Sequence, residues 1–235
     1  ADPEPLRSSA AVIDRRTFLF KVAATVSVFA ARRAFGSRKV IHALLISPKS
    51  PSILGGAMLG AEEGDHTARL FDHEFNLTVA EIRDPAELMK ALVGAKSSAA
   101  VLGGVNRNIA DRIAAASEAP FLEITDAADH VTDGRYRLSP LAPPDHAVVW
   151  HHDLRRYGAG ELNERYLERT GLRMDTDAWT AWFGVKLIVE AALRNREIAS
   201  LAIDGHKGVP LRFDEQRVLQ QPLYRIDAEG NLLDQ

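Results

Sequence analysis

The chain has no cysteine in 235 residues. Disulfide frameworks, thiolate metal centres and cysteine nucleophiles are excluded by that alone. A surplus of positive charge is also missing, with 29 Lys and Arg against 32 Asp and Glu and a formal net charge of −3. Gripping nucleic acid through its phosphates needs a basic face, so no nucleic-acid partner is expected. Aromatic residues are few at 7%, yet 46% hydrophobic and 26% charged residues fit a globular chain rather than a disordered one. Repeats and low-complexity segments are lacking. The length suits one domain, two at most.

Nucleotide signatures are missing too. The first strand-like run is followed by Pro48-Lys49-Ser50-Pro51-Ser52, without the Gly-x-Gly-x-x-Gly turn, and no loop ends in Gly-Lys-Ser/Thr. Glu62 and His66, four apart, read as a solvated helix face rather than metal ligands. His151-His152, taken as helical, diverge by about 100° and do not share an ion. Asp126 and Asp129 flank His130 with no nucleophile nearby, and Trp150, Trp179 and Trp182 read as packing. The expectation is therefore a protein without catalytic residues, resident cofactor or metal.

The segment before the globular pattern looks like an address. Arg15-Arg16-Thr17-Phe18-Leu19 precedes an apolar run from Val22 to Ala31, broken only by Thr25 and Ser27. A basic pair ahead of a short apolar run is an export-signal layout, and Arg-Arg-x-Phe-Leu resembles the twin-arginine type. The run falls well short of the roughly 20 residues of a membrane-spanning helix. Residues 1–36 are assigned as the signal, with Ala34-Phe35-Gly36 as a small-x-small cleavage site, and the periplasm as destination.

From Arg38 onward, strand and helix patterns alternate. Val40 to Ile46 is a continuous apolar run typical of a buried parallel strand. Ser52 is expected to cap a helix from Ile53 to Phe71, although Gly55, Gly56, Gly60 and Gly64 are costly there unless a backbone or ligand comes close. Phe75 to Ile82 reads as a strand, Asp84-Pro85 opens a helix through Val93, Ala99 to Leu102 is a third strand, and Asn108 caps a helix from Ile109 to Ala119. Phe121 to Thr125 follows as a fourth strand and Arg135 to Ser139 as a fifth. This order predicts a doubly wound parallel α/β sheet over 37–140. Residues 141–235 add helices at His146 to Arg156, Gly160 to Arg169 and Thr176 to Arg194, then closing strands at Val209 to Phe213 and Pro222 to Ile226.

Ligands of open parallel sheets gather at loops beyond the carboxyl ends of the strands. Here those loops are Ser47 to Ser52, Gly103 to Asn106, and Thr125-Asp126, all rich in hydroxyl, amide and glycine.

The order strand, Gly-rich helix, strand, Asp-Pro helix, strand ending in Gly-Gly, helix and Pro-led strand, from Val40 to Leu138, resembles the first lobe of type I periplasmic binding proteins of the branched-chain amino acid kind. The later motifs Trp150-His151, Tyr157 to Tyr166, Arg173-Met174, Asp177 to Lys186, Glu190-Ala191, Lys207 to Phe213 and Gln220 to Leu223 resemble a subfamily associated with pyrroloquinoline-quinone-dependent alcohol oxidation. The resemblance implies ligand contacts at Ser50, Ser52, Gly104, Asn106, Thr125 and Asp126. It implies a non-catalytic binding protein of an ABC-transport or sensing system. Its ligand would be a small polar molecule, such as an amino acid, an alcohol-derived compound or a carboxylate, and its partners transporter membrane subunits. Family members close a ligand between two lobes, whereas this chain passes from Leu138-Ser139-Pro140 almost directly to Trp150, so most of a second sheet is expected to be missing. The alternative is an accessory subunit whose open lobe face docks another protein or a second copy of itself.

Overall fold

Nine residues of strand β1 (Lys39–Ser47) are the centre of the fold, because both faces of their second half are buried. In the computed structural model, residues 39–47, 50–82, 85–96, 98–105, 107–124, 135–140 and 144–233 are described. The Arg15-Arg16 signal and the rest of 1–36 lie outside the described residues, as do Asn106, Thr125 and Asp126. β1 is followed by α1 (Pro51–Arg69), β2 (His73–Glu81), α2 (Pro85–Lys96), β3 (Ala100–Gly103), α3 (Arg107–Ala116), β4 (Phe121–Glu123) and β5 (Arg135–Arg137). The five strands pair in parallel in the order β2-β1-β3-β4-β5. This is the doubly wound α/β sheet expected from the alternating pattern.

Alternate residues of the strands feed two separate cores. Ile41, Ala43, Leu45, Leu102 and Leu122 pack with α1 and a later helix, α5 (Thr176–Arg194). Leu44, Ile46, Val101 and Phe121 pack instead with Leu88 and Ala91 of α2 and Ala110 and Ile113 of α3. The sheet is thus covered on both faces, as an all-parallel sheet requires.

The cap of α1 is Ser50 rather than Ser52: its side chain accepts from the Ile53 N–H at 3.4 Å and Pro51 takes the first helical position. Proline suits that position because its missing N–H would have no helical partner. Three of the four glycines of α1 are explained by α5; Gly55 instead faces Tyr166 and Thr170, where a Cβ would lie 3.0 Å from each. A Cβ on Gly56 would lie 1.9 Å from the Ala178 carbonyl oxygen, and one on Gly60 2.9 Å from that of Trp182. One turn further, a Cβ on Gly64 would meet Val189 at 2.8 Å. Successive turns of α1 therefore meet successive turns of α5, and the two helices run parallel at backbone contact.

The expected helix at His146 to Arg156 is not formed. His146 adopts φ 60°, a left-handed conformation that interrupts a helix, and Ala147–Val148 forms β6. β6 pairs antiparallel with β10 (Tyr224–Arg225), so the adjacent apolar residues 147–150 serve a strand and a turn rather than a helix face. A 3₁₀ turn (Arg156–Gly158) then leads into α4 (Ala159–Thr170), which ends at Gly171, φ 70°. The closing region also holds a three-stranded sheet of β7 (Ile203–Asp204), β8 (Pro210–Phe213) and β9 (Leu219–Gln220). Beside β9, Val218 forms a parallel bridge with Arg137 and so covers the edge of β5.

The three tryptophans are packed inside, each at most 2% exposed. Their indole N–H groups donate to Asn163 Oδ1 (Trp150, 2.8 Å), the Gly205 carbonyl (Trp179, 3.1 Å) and Glu63 Oε2 (Trp182, 2.9 Å). Lys207, also buried, donates to the Val149 and Pro222 carbonyls and lies 4.5 Å from the ring centre of Trp179. Burial pushes its pKa well below the ordinary lysine value.

The glycine contact gives the first prediction. Gly56→Ala, which drives a methyl into the Ala178 carbonyl, lowers stability by about 3 kcal/mol. Gly94→Ala in α2 has its nearest neighbour at 3.5 Å. It leaves the fold intact and adds about 0.5–1 kcal/mol through helix propensity. Urea denaturation midpoints of the two variants test this.

Candidate functional site

The strand order places a switch point between β1 and β3. The chain leaves β1 for α1 on one face of the sheet and leaves β3 for α3 on the other. Opposite departures open a crevice beyond the carboxyl ends of the two strands, where doubly wound sheets hold ligands. Ser50 and Ser52 lie on its β1 side. Gly104 lies on the β3 side, its N–H bonded to the Ile46 carbonyl at 2.9 Å, so that the ladder continues one residue past β3.

Parallel packing with α1 brings the N-terminus of α5 to the same edge. Asp175 caps α5 by accepting from the Ala178 N–H through Oδ1 at 2.9 Å. Its Oδ2 accepts from the Ser52 hydroxyl at 2.7 Å. One carboxylate thus links the two helix starts, across 123 positions of sequence. Because the Ser52 hydrogen is committed to Asp175, a ligand would meet that hydroxyl as an acceptor. Ser50 accepts from Ile53, and among the described residues its own hydrogen has no acceptor. The phenol of Tyr166, from α4, reaches the Ser52 carbonyl at 3.4 Å. Burial, reinforced by the charge of Asp175, pushes the Tyr166 pKa up to about 12, so it stays a neutral donor. Asp177, in the first turn of α5, is likewise raised by burial and then by Asp175.

Nothing in the local sequence places Asp175 beside Ser52. The pairing follows from the α1–α5 packing, for which the only sequence signal was the unexplained glycine content of α1.

The other candidate groups are committed elsewhere. Glu62 pairs with Arg169 at 3.1 Å. His151, His152 and Asp153 do converge, with ligand atoms within 4.8 Å, and the two imidazoles stack at 4.2 Å rather than diverging, since this stretch is a turn. Yet His151 Nδ1 accepts from the Asp153 N–H at 3.1 Å and its Nε2 faces the Gly230 carbonyl at 3.0 Å. His152 Nε2 accepts from Arg173 at 2.9 Å. With both lone pairs engaged and a guanidinium in contact, the cluster is a poor cation site. A groove of about 150 Å³ between α1 and α5 is lined by Glu63, Thr67, Trp182, Lys186, Glu190 and His206. There Lys186 donates to the Asp204 carbonyl at 2.8 Å and lies 5.2 Å from the centre of the Trp182 ring, and burial lowers its pKa. Glu63 is held by Arg165 and Trp182, at 3.0 and 2.9 Å, so the groove is a paired polar seam.

No protein-family model and no curated protein matches the chain. Solved structures do. A leucine-binding protein, LivK, from Thermotoga maritima is similar at a TM-score of 0.64 and 10% identity, over 83% of this chain and 98% of that one. A possible leucine/isoleucine/valine-binding protein from Rhodopirellula baltica is similar at 0.62 and 10%, over 86% of this chain and 98% of that one. At such identities the likeness is one of fold. The sheet with its two helical layers is that of a type I periplasmic-binding-protein lobe.

Asp175→Ala is expected to lower stability by about 1–2 kcal/mol through loss of the cap. Ser52→Ala is expected to lower it by about 1 kcal/mol. In a double-mutant cycle the two couple by about 0.5 kcal/mol or more, measured by denaturation. Additive losses would mean that the hydroxyl and the carboxylate do not act together.

Proposed function

We propose that the chain is an exported, non-catalytic binding protein for a small polar molecule, serving ABC transport or sensing in the periplasm. The observation that supports this most is the switch point between β1 and β3, with Ser50 and Gly104 on the loops beside it and Ser52 in the first turn of α1. Asn106, Thr125 and Asp126 would complete the contacts from the loops after β3 and β4. Amino acids come first among ligand classes, because two proteins of similar fold are a leucine-binding protein and a possible leucine/isoleucine/valine-binding protein. The finer reading links the protein to quinone-dependent alcohol oxidation, carries it out by the twin-arginine route through Arg15 and Arg16, and has it act with one main lobe. It rests on the motifs of the sequence.

A second reading, an accessory subunit that docks a protein, draws support from exposed apolar side chains. Leu70 and Phe71 are 72% and 62% exposed, and Met89 and Val93 on α2 are 56% and 67%. The two pairs lie in different helical layers, at the C-terminal end of α1 and on α2, so each is a small apolar surface apart from the strand-end face.

A thermal-shift screen with amino acids, small alcohols, aldehydes, carboxylates and the quinone separates the two readings. A ligand at 100 times its dissociation constant stabilises the fold by about 2.7 kcal/mol. The Asn106→Ala, Asp126→Ala double variant should lose that shift while keeping the cooperative unfolding of the parent. A flat screen, together with elution as a dimer or larger species, would favour the accessory subunit.

A further inference from the structure

We propose that the turn at His151-His152 is a proton-responsive brace on the N-terminus of α5. The turn is joined to α5 on one side and to the loop before α5 on the other. The Trp150 N–H donates to Thr176 Oγ1 at 3.3 Å, and the Thr176 hydroxyl lies 3.4 Å from the Trp150 carbonyl. His152 Nε2 lies 2.9 Å from Nη1 of Arg173, two residues before Asp175.

The hydrogen-bond directions fix the protonation states. A guanidinium only donates, so His152 Nε2 accepts and that ring is neutral with its proton on Nδ1. The Asp153 N–H only donates, so His151 accepts at Nδ1 and donates from Nε2 to the Gly230 carbonyl. The brace therefore exists only while His152 is uncharged. A proton at its Nε2 replaces the acceptor with an N–H facing a guanidinium, and places charge 4.2 Å from the stacked His151 ring.

The surroundings set where this happens. Burial of the ring lowers the His152 pKa, and His151, Arg173 and Arg155 act in the same direction. Asp153 opposes them, with Oδ2 3.6 Å from His152 Nε2. The Asp227–Asn231 turn, packed on His151 through Gly230, directs its Asp227 carboxylate to Asn231, at 2.7 and 2.9 Å. From α5, the Asp175 carboxylate is bonded to Ser52 and Ala178. A histidine whose folded pKa is depressed contributes stability that is fully present above its unfolded value near 6.5. That contribution falls as the pH drops from there through the folded pKa. Acid thus loosens the wall of the crevice that carries Asp175. The brace stands whatever the crevice binds; release of a ligand at low pH would rest additionally on the proposed function.

The test follows the imidazole resonances and amide exchange of the full chain from about pH 8 to about pH 5. His152 should titrate below about 6.5. Its protonation should speed exchange at residues 151–153 and 176–178 by about tenfold beyond the intrinsic pH dependence. His152→Gln keeps an acceptor for Arg173 and cannot charge, so its exchange should lose this response. Arg173→Gln removes the opposing cation, so the His152 midpoint should rise. A pH response in His152→Gln equal to that of the parent, or a His152 midpoint unmoved in Arg173→Gln, overturns the proposal.

Discussion

The contact between α1 and α5 at backbone distance is the constraint on which the rest of the structure depends. Gly56 and Gly60 remove the side chains that would otherwise hold the helices apart, and the Ala178 and Trp182 carbonyls occupy the space. The contacts run in the same order along both helices, so the two are parallel and both start at the carboxyl edge of the sheet. From that alignment come the Ser52–Asp175 bond, the burial of Trp179 and Trp182, and the closure of one sheet face by a helix distant in sequence. Glycine in a helix interior is unfavourable on propensity alone. The sequence accepts that penalty where the approach of a second backbone offsets it.

Much of the fold was readable in the residues because its signals are local. A continuous apolar run marks β1, Asp84-Pro85 marks the start of α2, and the periodicity of Thr176 to Arg194 marks the whole of α5. The glycines of α1 were readable as a demand for close approach, but not by which partner. Partner choice is a long-range matter, decided here by α5 at Gly56, Gly60 and Gly64 and by Tyr166 and Thr170 at Gly55. Where the reading failed, at 146–156, four adjacent apolar or small residues from Ala147 to Trp150 fitted a helix as well as a strand. The antiparallel pairing with Tyr224–Arg225 and the left-handed His146 decided in favour of the strand.

The candidate site was legible to a similar depth. Strand ends follow from the alternating pattern, so Ser50, Ser52 and Gly104 are legible as neighbours of the carboxyl ends of β1 and β3. That Ser50 caps the helix while Ser52 turns to Asp175 depends on Pro51 shifting the helix start and on α5 arriving from another part of the chain. The histidine turn was read as two diverging helical side chains. As a turn it stacks the rings, and its hydrogen bonds engage a lone pair on each imidazole, which leaves a poor cation site and calls for a neutral His152 facing Arg173.

The central claim is that ligand binds at the switch point between β1 and β3, and backbone amide shifts of the isotope-labelled chain during titration with leucine test it most directly. The account predicts perturbations concentrated at residues 50–54, 103–106 and 125–126, extending to 175–178 through Asp175. Perturbations centred instead on the groove of Trp182, Lys186 and His206, or none at saturating amino acid in a chain that does bind one of the other screened compounds elsewhere, would contradict it.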